Sequence, residues 1–365
     1  MTVPENKLII TSLANLAEIL PFMLGHYPDD SMVLHNVGPN LIDGPTMASP
    51  LPDNPADWKE EAELFARRFM THVQENAHDT VGEIIVYLCR EPEPGQSAEQ
   101  VIELLRPVSN SLTETCTQLR GSVTQTLGLV AGRWWAFECE WDGCCEGDPL
   151  PALDDPKSAA AQLIRMGYSP GRRTGEIVKE FRPAQPAAPG QLRVLDNEAA
   201  AYAAQCATPG GQEVALDVTH WLLETAIRAF RNGATDLADD MAARIIHGLQ
   251  NGWACDHGIE FAEDDDLPHA RRLWSFLARR CLPPYTQKAV PLLSLLAWVA
   301  WRQDDTLTAR LALKDALTAD PDYELAGLLV CAITDGEDPQ VLLNLARETR
   351  AERLARTTHS DPTTH

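Results

Sequence analysis

Residues 82–89 read GEIIVYLC, and this run decides the fold class because it is apolar at every position after Glu83. A strand with one face in water alternates polar and apolar side chains, whereas a continuous run is typical of a strand covered on both faces. Predicted helices flank it at 56–77 and 97–116, and the second can bend at Pro107. We therefore expect an α/β domain.

Short strands and a hairpin extend this pattern in both directions. KLIIT (7–11) and SMVLHNV (31–37) are predicted strands, and Ser12 is placed to cap a helix between them. TQTLGLV and WWAFEC flank the turn Ala131-Gly132-Arg133, which predicts a hairpin because glycine accepts a positive φ. The expected N-terminal domain, residues 1–181, is α/β: a mixed sheet with crossover helices and a hairpin.

The chain changes character beyond residue 181. Pro, Ala, Gly and Gln dominate residues 182–213, which are predicted to be a linker with room for one short helix. Residues 214–356 carry helical patterns almost throughout, so we expect an all-α, repeat-like domain there. Residues 357–365 are expected to be a disordered tail.

Part of the helical domain looks like a tetratricopeptide repeat of roughly 34 residues that starts at Val290. Its small and apolar packing positions and its closing proline correspond to Leu296, Ala297, Ala309, Leu313, Ala316 and Pro321. A single repeat cannot bury its own face, so neighbouring helices must cover it. We expect Ala309 and Ala316 to pack against the preceding helix.

Composition and charge exclude several functional classes. The 365 residues include 30 Lys and Arg against 53 Asp and Glu, and the net charge of -23 repels a nucleic-acid backbone. The longest apolar segment, KAVPLLSLLAWVAW, is shorter than the roughly 20 residues of a membrane helix. The N-terminus lacks the basic start and cleavage site of a signal peptide. We expect a cytoplasmic protein whose nine cysteines are thiols.

Three cysteines in GRWWAFECEWDGCC (132–145) form a candidate metal site. Cys139 follows the predicted hairpin, and Cys144 and Cys145 lie in the next loop, where thiols can converge on one ion. A structural zinc site needs four ligands, usually from C-x2-C pairs, which this segment lacks. We favour thiols packed beneath the neighbouring tryptophans, and we predict no cofactor, with zinc as the alternative.

A second candidate site is the turn GHYPDDS, residues 25–31. His26, Asp29, Asp30 and Ser31 could hold a divalent metal or perform acid-base catalysis at the carboxyl edge of the sheet. The same residues are ordinary turn and strand-entry residues, which is the interpretation that we favour. The motifs GxGxxG, GxxxxGK[ST], GxSxG and HExxH are absent, so the common nucleotide-binding and hydrolase templates lose support.

The helical half has one patch rich in possible ligands. His247, Cys255, His257 and His269 accompany the acidic run 263–266. Their spacing matches no metal template, and acidic residues before a helix are favoured by the helix dipole. We expect a solvated loop there.

Three blocks of the sequence resemble an actinobacterial family of domains of unknown function, family 4192. The blocks are SLANLAEILPFMLGHYPDDSMVL (12–34), GRWWAFECEWDGCC (132–145) and AWVAWRQDDTLTARLALKDALTADPDYELAGLL (297–329), in the family's order. The resemblance implies an actinobacterial, cytoplasmic protein, and it implies no activity.

Two functional hypotheses from different classes remain. In the first, the protein is a non-enzymatic binding or adaptor protein whose helical half presents a groove to a protein or peptide partner. In the second, it is an enzyme of unassigned chemistry with its site near His26, Asp29 and Asp30. The sequence favours the first, because the C-terminal helices are repeat-like.

Overall fold

The computed structural model describes residues 8–38, 42, 44–52, 54–76, 82–138, 147–152, 155, 158–183 and 190–359, with the backbone alone at 76 and 352–359. The chain forms two compact units that divide between Thr174 and Gly175. Separate hydrophobic cores stabilise them.

The first unit combines short strands with four helices. The strands are β1 His26–Tyr27, β2 Ser31–Asn36, β3 Thr46–Pro50, β4 Glu83–Cys89, β5 Ser122–Val130, β6 Arg133–Ala136, β7 Asp148–Pro149 and β8 Arg172–Arg173. The helices are α1 Leu13–Leu24, α2 Trp58–Asn76, α3 Ala98–Gln118 and α4 Ala159–Arg165. Ser12 caps α1, as predicted, by accepting a hydrogen bond from the Asn15 backbone N–H.

Six of these strands form one mixed sheet in the order β3-β2-β4-β5-β6-β7. β4 and β5 are parallel and α3 connects them, whereas the other neighbours in the sheet are antiparallel. β1 and β8 form a separate parallel pair. The predicted α/β class, with a mixed sheet and a crossover helix, is confirmed.

The central strand β4 is covered on both faces, as its apolar run predicts. Ile84, Val86 and Leu88 pack with α2 and α3, and Ile85, Tyr87 and Cys89 pack with α1 and α4. The hydroxyl of Tyr87 donates a hydrogen bond of 3.2 Å to the Leu16 carbonyl, so its one polar group is satisfied inside the core. Successive side chains of β4 therefore contact the two helix layers alternately, one layer on each face of the sheet.

The predicted hairpin joins β5 to β6. Ala131 and Gly132 are its two turn residues, and both have a positive φ, 49° and 72°. This is the backbone conformation that matches the twist of two antiparallel strands joined by a two-residue turn. Val130 pairs with Arg133 across the turn, so the hairpin is confirmed.

The predicted strand KLIIT is wrong over its described residues, 8–11, which adopt neither strand nor helix. Leu8 and Ile10 pack against the core under α1, whereas Ile9 is 60% exposed. The backbone of Ile9 bonds with the side chain of Gln162. A side-chain amide therefore satisfies part of this backbone in place of a neighbouring strand.

The second unit is helical. Its helices are α5 Thr174–Val178 at the boundary, α6 Gln191–Cys206, α7 Gly211–Arg231, α8 Asp239–Gly248, α9 Gly252–Ile259, α10 Leu267–Ala278, α11 Val290–Arg302, α12 Thr306–Ala319, α13 Glu324–Thr334 and α14 Pro339–His359. α11 is the centre of the core, because every residue from Val290 to Trp301 is buried. Of the helices that the structure describes, none is long and apolar enough to cross a membrane.

The boundary between the units precedes the predicted linker, 182–213. Ile177, Phe181 and Leu195 are buried in the core of the helical unit, so the chain has already joined that unit by residue 177. Residues 191–206, inside the predicted linker, form α6, which packs against α8. Alanine-rich composition is compatible with a packed helix as well as with a linker, because alanine has the highest helix propensity.

The packing of α12 against α11 buries the residues that the sequence predicts to be buried. Ala309 and Ala316 have no exposed surface, and α12 packs closely against α11. The burial of both alanines is confirmed. The assignment of this pair to a tetratricopeptide-type repeat stays a prediction.

Ala309→Arg should destabilise the helical unit, because it overpacks a filled core and buries an unpaired charge. The expected loss is about 3 kcal/mol or more, measured by urea unfolding followed by circular dichroism. Ala203→Arg, on an exposed position of α6, is the matched control and should unfold like the wild type. Equal urea midpoints for the two variants would contradict the packing assignment.

Candidate functional site

The predicted turn at His26–Ser31 lies at the carboxyl end of β4. The register of β2 places Ser31 opposite Cys89, the last residue of β4. His26 and Tyr27 pair with Arg172 and Arg173 of β8. The structure therefore brings the candidate residues to the sheet edge where α/β proteins commonly bind ligands.

The polar groups of this turn contact the backbone around it. The His26 Nδ1 lies 3.1 Å from the Leu24 carbonyl oxygen, and the Ser31 hydroxyl donates to the Asp29 carbonyl at 2.7 Å. The Asp30 carboxylate accepts the Glu91 backbone N–H at 3.0 Å. These are the contacts of a structural turn. Across the described residues, no three His, Cys, Asp or Glu side chains form a group that could hold a metal.

Cys89 lies beside this turn but is a poor nucleophile. Burial raises the pKa of its thiol well above the usual range, and the carboxylates of Asp29 and Asp30 raise it further. Burial likewise raises the pKa of Cys116 to about 12. A thiol acts as a nucleophile or metal ligand through its thiolate, so both cysteines remain unreactive near neutral pH.

Cys139, Cys144 and Cys145, which are predicted to be packed thiols with a zinc site as the alternative, lie outside the described residues. The chain on either side of them is described. Trp135 is buried, and a Cβ on Gly147 would lie only 2.2 Å from its indole ring. Arg133 donates a hydrogen bond to the Gly147 carbonyl. Gly147, which follows the cysteines in sequence, is thus in contact with Arg133 and Trp135, which precede them.

The expectation of a solvated loop around the histidines of the helical half is wrong for His247, Cys255 and His257, which are buried on α8 and α9 because their helices pack into the core. These residues make separate contacts. His247 hydrogen bonds to the Leu195 carbonyl, and its ring packs on Tyr285. His269 contacts Arg272 on its own helix. The Cys255 thiol lies 3.5 Å from the Tyr323 hydroxyl, and burial raises the pKa of this thiol to about 11.

His257 on α9 is buried and has a carboxylate near each of its ring nitrogens. Its Nε2 lies 3.4 Å from a carboxylate oxygen of Glu224 on α7, and its Nδ1 lies 3.4 Å from one of Glu260. The ring also packs on His220, with 4.7 Å between centroids. Glu260 contacts Arg350 of α14 at 3.6 Å. One imidazole ring therefore links α9 directly to α7 and, through Glu260, to α14.

Close packing holds α9 on the core from its other side. A Cβ on Gly258 would lie 2.8 Å from a methyl group of Leu295 on α11, so a larger residue there would require the Leu295 side chain to move. The Asn251 side chain caps the helix by accepting the Trp253 backbone N–H at 3.0 Å. The short helix α9 is therefore capped at its start and packed against α11.

Two large aromatic side chains lie on the outer faces of these helices. Trp221 of α7 is 64% exposed and Trp253 of α9 is 69% exposed. The helices meet at this point, because His220 Nε2 lies 3.4 Å from the Trp253 carbonyl oxygen. We call Trp221, Trp253, Asp217, Glu224 and Asp256 the tryptophan surface.

Comparison with known protein families matches residues 14–340 to the model described as "Domain of unknown function (DUF4192)". The chain belongs to this family. The match begins in α1 and ends in α14, so it covers most of both units and confirms the resemblance drawn from the three sequence blocks. Searches of curated proteins and of solved structures found no match.

Sequence reasoning missed the tryptophan surface of this DUF4192 chain. Val214, Asp217, Trp221 and Glu224 recur at the spacing of one helix face, so an apolar residue and a tryptophan share a stripe with two carboxylates. A tryptophan that shares a helix face with carboxylates is predicted to be exposed, because that face is polar. The approach of Trp253 to His220 of α7 depends on how the two helices pack, and no local sequence pattern encodes that packing.

Gly171→Ala should destabilise the α/β unit by disrupting the β1–β8 pair beside the His26 turn. Gly171 has φ 73°, and a Cβ there would lie 1.6 Å from the Gly25 carbonyl oxygen. Gly167→Ala is the matched control, since Gly167 has φ 91° with open space around it. We expect a loss of about 1–2 kcal/mol for the control from backbone strain alone, and at least about 2 kcal/mol more for Gly171→Ala. Equal losses in urea unfolding would contradict the close approach.

Asp256→Asn should raise the melting temperature of the DUF4192 chain slightly at pH 7. Partial burial, and then the nearby Glu260 carboxylate, raise the pKa of Asp256. A carboxyl whose pKa is higher in the folded state favours folding below its ordinary value of about 4 and disfavours folding as the pH rises through the raised value. The variant's gain should therefore be present at pH 7 and absent below about pH 4.

The gain should be small, because water screens the exposed part of this carboxylate. Asp217→Asn, on the exposed face of α7, is the control and should change the melting temperature less at either pH. A lower melting temperature for Asp256→Asn at pH 7 would contradict the assigned electrostatics.

Proposed function

We propose that this DUF4192 protein is a non-enzymatic binding or adaptor protein, and that its helical unit binds a protein or peptide through the tryptophan surface. The observation that carries the proposal is the exposure of Trp221 and Trp253, 64% and 69%, on adjoining helices. Tryptophan offers a large apolar area with a polar N–H group, and it is enriched among residues that contribute most to binding energy.

The surface is prepared for binding because its helices are fixed from within. His257 links α9 to Glu224 of α7, and the approach of Gly258 to Leu295 holds α9 on α11. A rigid surface loses little conformational entropy when it binds a partner. Two tryptophans on fixed helices therefore favour recognition over a role in folding.

The repeat-like packing of α11 and α12 supports the same function. Helical repeats bury a continuous core and leave helix faces available to extended partners, the use that we propose for α7 and α9. We also propose that the protein acts in the cytoplasm. The six cysteines that the structure describes are free thiols, four of them buried, as expected in a reducing compartment.

An enzyme with a site near the His26–Asp30 turn, metal-dependent or not, is the alternative. Its support is the position of the turn at the carboxyl end of β4. The contacts of the turn favour a structural role, because Ser31 and Asp30 bond to nearby backbone groups. We therefore rank the binding function first.

The proposal predicts that a photo-reactive residue, p-benzoylphenylalanine, placed at position 221 or 253 of the full chain cross-links the same partner in cells of the source organism. The matched control position is Leu328 on α13, which is 68% exposed in the same unit. The double variant Trp221→Ala/Trp253→Ala should recover at least about tenfold less partner, since each hot-spot residue contributes about 2 kcal/mol or more. Its melting temperature should stay within about 2 °C of wild type, because both side chains are exposed.

Mass spectrometry of the cross-linked peptides identifies the partner and the segment that it uses. A second copy of this chain as the partner would make the surface a self-association site and would still support a binding function. The proposal fails if positions 221 and 253 cross-link no other chain, or only residues of their own chain.

A further inference from the structure

We infer that the segment recognised by the tryptophan surface is cationic, with a lysine or arginine side chain lying over an exposed indole ring and paired with the adjoining carboxylates. This inference rests on the proposed function and adds to it the chemistry of the partner. It depends on the charges around the two tryptophans, on their spacing along the helices, and on an arrangement of the same kind elsewhere in the chain.

Acidic residues outnumber basic residues on the two helices that carry the tryptophans. In α7, Glu213, Asp217 and Glu224 precede Arg228 and Arg231 of the last turn; Arg231 pairs with Asp266, and the exposed Arg228 follows Glu224 by four residues. Helix α9, residues 252–259, contains Asp256 and no lysine or arginine. The cations that α14 brings toward this region already have partners, since Arg347 pairs with Glu263 and Arg350 with Glu260. The surface thus presents negative charge to an incoming molecule.

The carboxylates lie next to the indole rings along each helix. Asp217 and Glu224 are four residues before and three residues after Trp221, and Asp256 is three residues after Trp253. Side chains three and four residues apart are neighbours on a helix surface. A cation over either ring therefore meets a carboxylate within one helical turn, and a ring face attracts a cation through its own electron density.

The α/β unit of this protein contains the same combination with its cation in place. The guanidinium of Arg90 lies 4.8 Å from the centre of the Trp58 ring. The same group pairs with Glu93 at 2.9 Å and with Asp30 at 3.9 Å. One indole and two carboxylates therefore accommodate one arginine. Trp221 is exposed and has Asp217 and Glu224 on the same helix face, so an indole and two carboxylates occur together there as well, with Glu224 also in contact with His257.

Charge complementarity selects this partner over the other candidates. A second copy of the chain would bring a second net charge of -23 toward the same acidic surface. Nucleic acids and anionic lipid surfaces are repelled for the same reason. An apolar segment without charge would leave the carboxylates unpaired at the interface and would lose their contribution. A basic protein segment uses both the rings and the carboxylates.

The test measures the binding of a fluorescein-labelled peptide of four arginines spaced by glycine and serine to the full-length protein at about 0.15 M salt. The matched probe replaces each arginine with citrulline, which has nearly the same shape and no charge. We expect fluorescence anisotropy to show saturable binding of the arginine peptide and at least about tenfold weaker binding of the citrulline peptide.

Variants separate the tryptophan surface from the general attraction of an acidic protein for a basic peptide. Trp221→Ala/Trp253→Ala changes no charge and should weaken binding of the arginine peptide at least about tenfold. Asp217→Asn/Asp256→Asn should weaken it by a similar factor. Asp335→Asn/Glu337→Gln removes the same charge from exposed positions elsewhere in the helical unit, and its affinity should stay within about twofold of wild type.

Equal affinity of the wild type and the double tryptophan variant for the arginine peptide would overturn the inference. So would equal binding of the arginine and citrulline peptides, or the absence of binding to the wild type. These outcomes differ from a failure of the proposed function. If positions 221 and 253 cross-link a partner segment that contains neither lysine nor arginine, the binding function stands and the cationic specificity does not.

Discussion

Three outer helices, α7, α9 and α14, converge around one buried imidazole, His257, which lies between the carboxylates of Glu224 and Glu260 at 3.4 Å from each. A carboxylate held away from water is costly unless a positive or polar group offsets it, and Glu260 is almost completely buried. His257 and Arg350 both face Glu260, so α7, α9 and α14 are tied to one electrostatic cluster. The orientation of the exposed faces of α7 and α9 follows from this internal contact.

Two elements that are covered on all sides organise the rest of the molecule, and the sequence predicts both. β4 is apolar at successive positions, which requires a helix layer on each face of the sheet, and α11 is apolar around its whole circumference, which requires helices on every side. Such patterns are local and strong. The prediction failed where the local pattern is ambiguous, because KLIIT has the residues of a strand but no neighbouring strand in its described part. The Ala-rich segment predicted as a linker with room for one short helix contains the packed helix Gln191–Cys206.

Local sequence patterns also predict the candidate sites only where the residues of a site are contiguous in the chain. The His26–Ser31 turn was visible because its polar residues are contiguous, and the structure places it at the predicted sheet edge. The tryptophan surface joins residues more than thirty positions apart, and its assembly depends on His220 meeting the Trp253 carbonyl. Only the helix stripe of Val214, Asp217, Trp221 and Glu224 carried a local signal. The family match adds no activity to either region.

Two features of the tryptophan surface lower the free energy of unfolding of the helical unit. Trp221 and Trp253 leave large apolar areas in water that burial would have made favourable, and the raised pKa of Asp256 means that its carboxylate is ionised at a cost to folding at neutral pH. The two costs have different physical origins, apolar hydration in one case and partial desolvation beside Glu260 in the other. Departures from optimal stability are expected at functional sites, where residues serve an interaction with another molecule. Their coincidence on α7 and α9, while α11 in the core of the same unit is buried from Val290 to Trp301, supports the proposal that this face of the helical unit binds a partner.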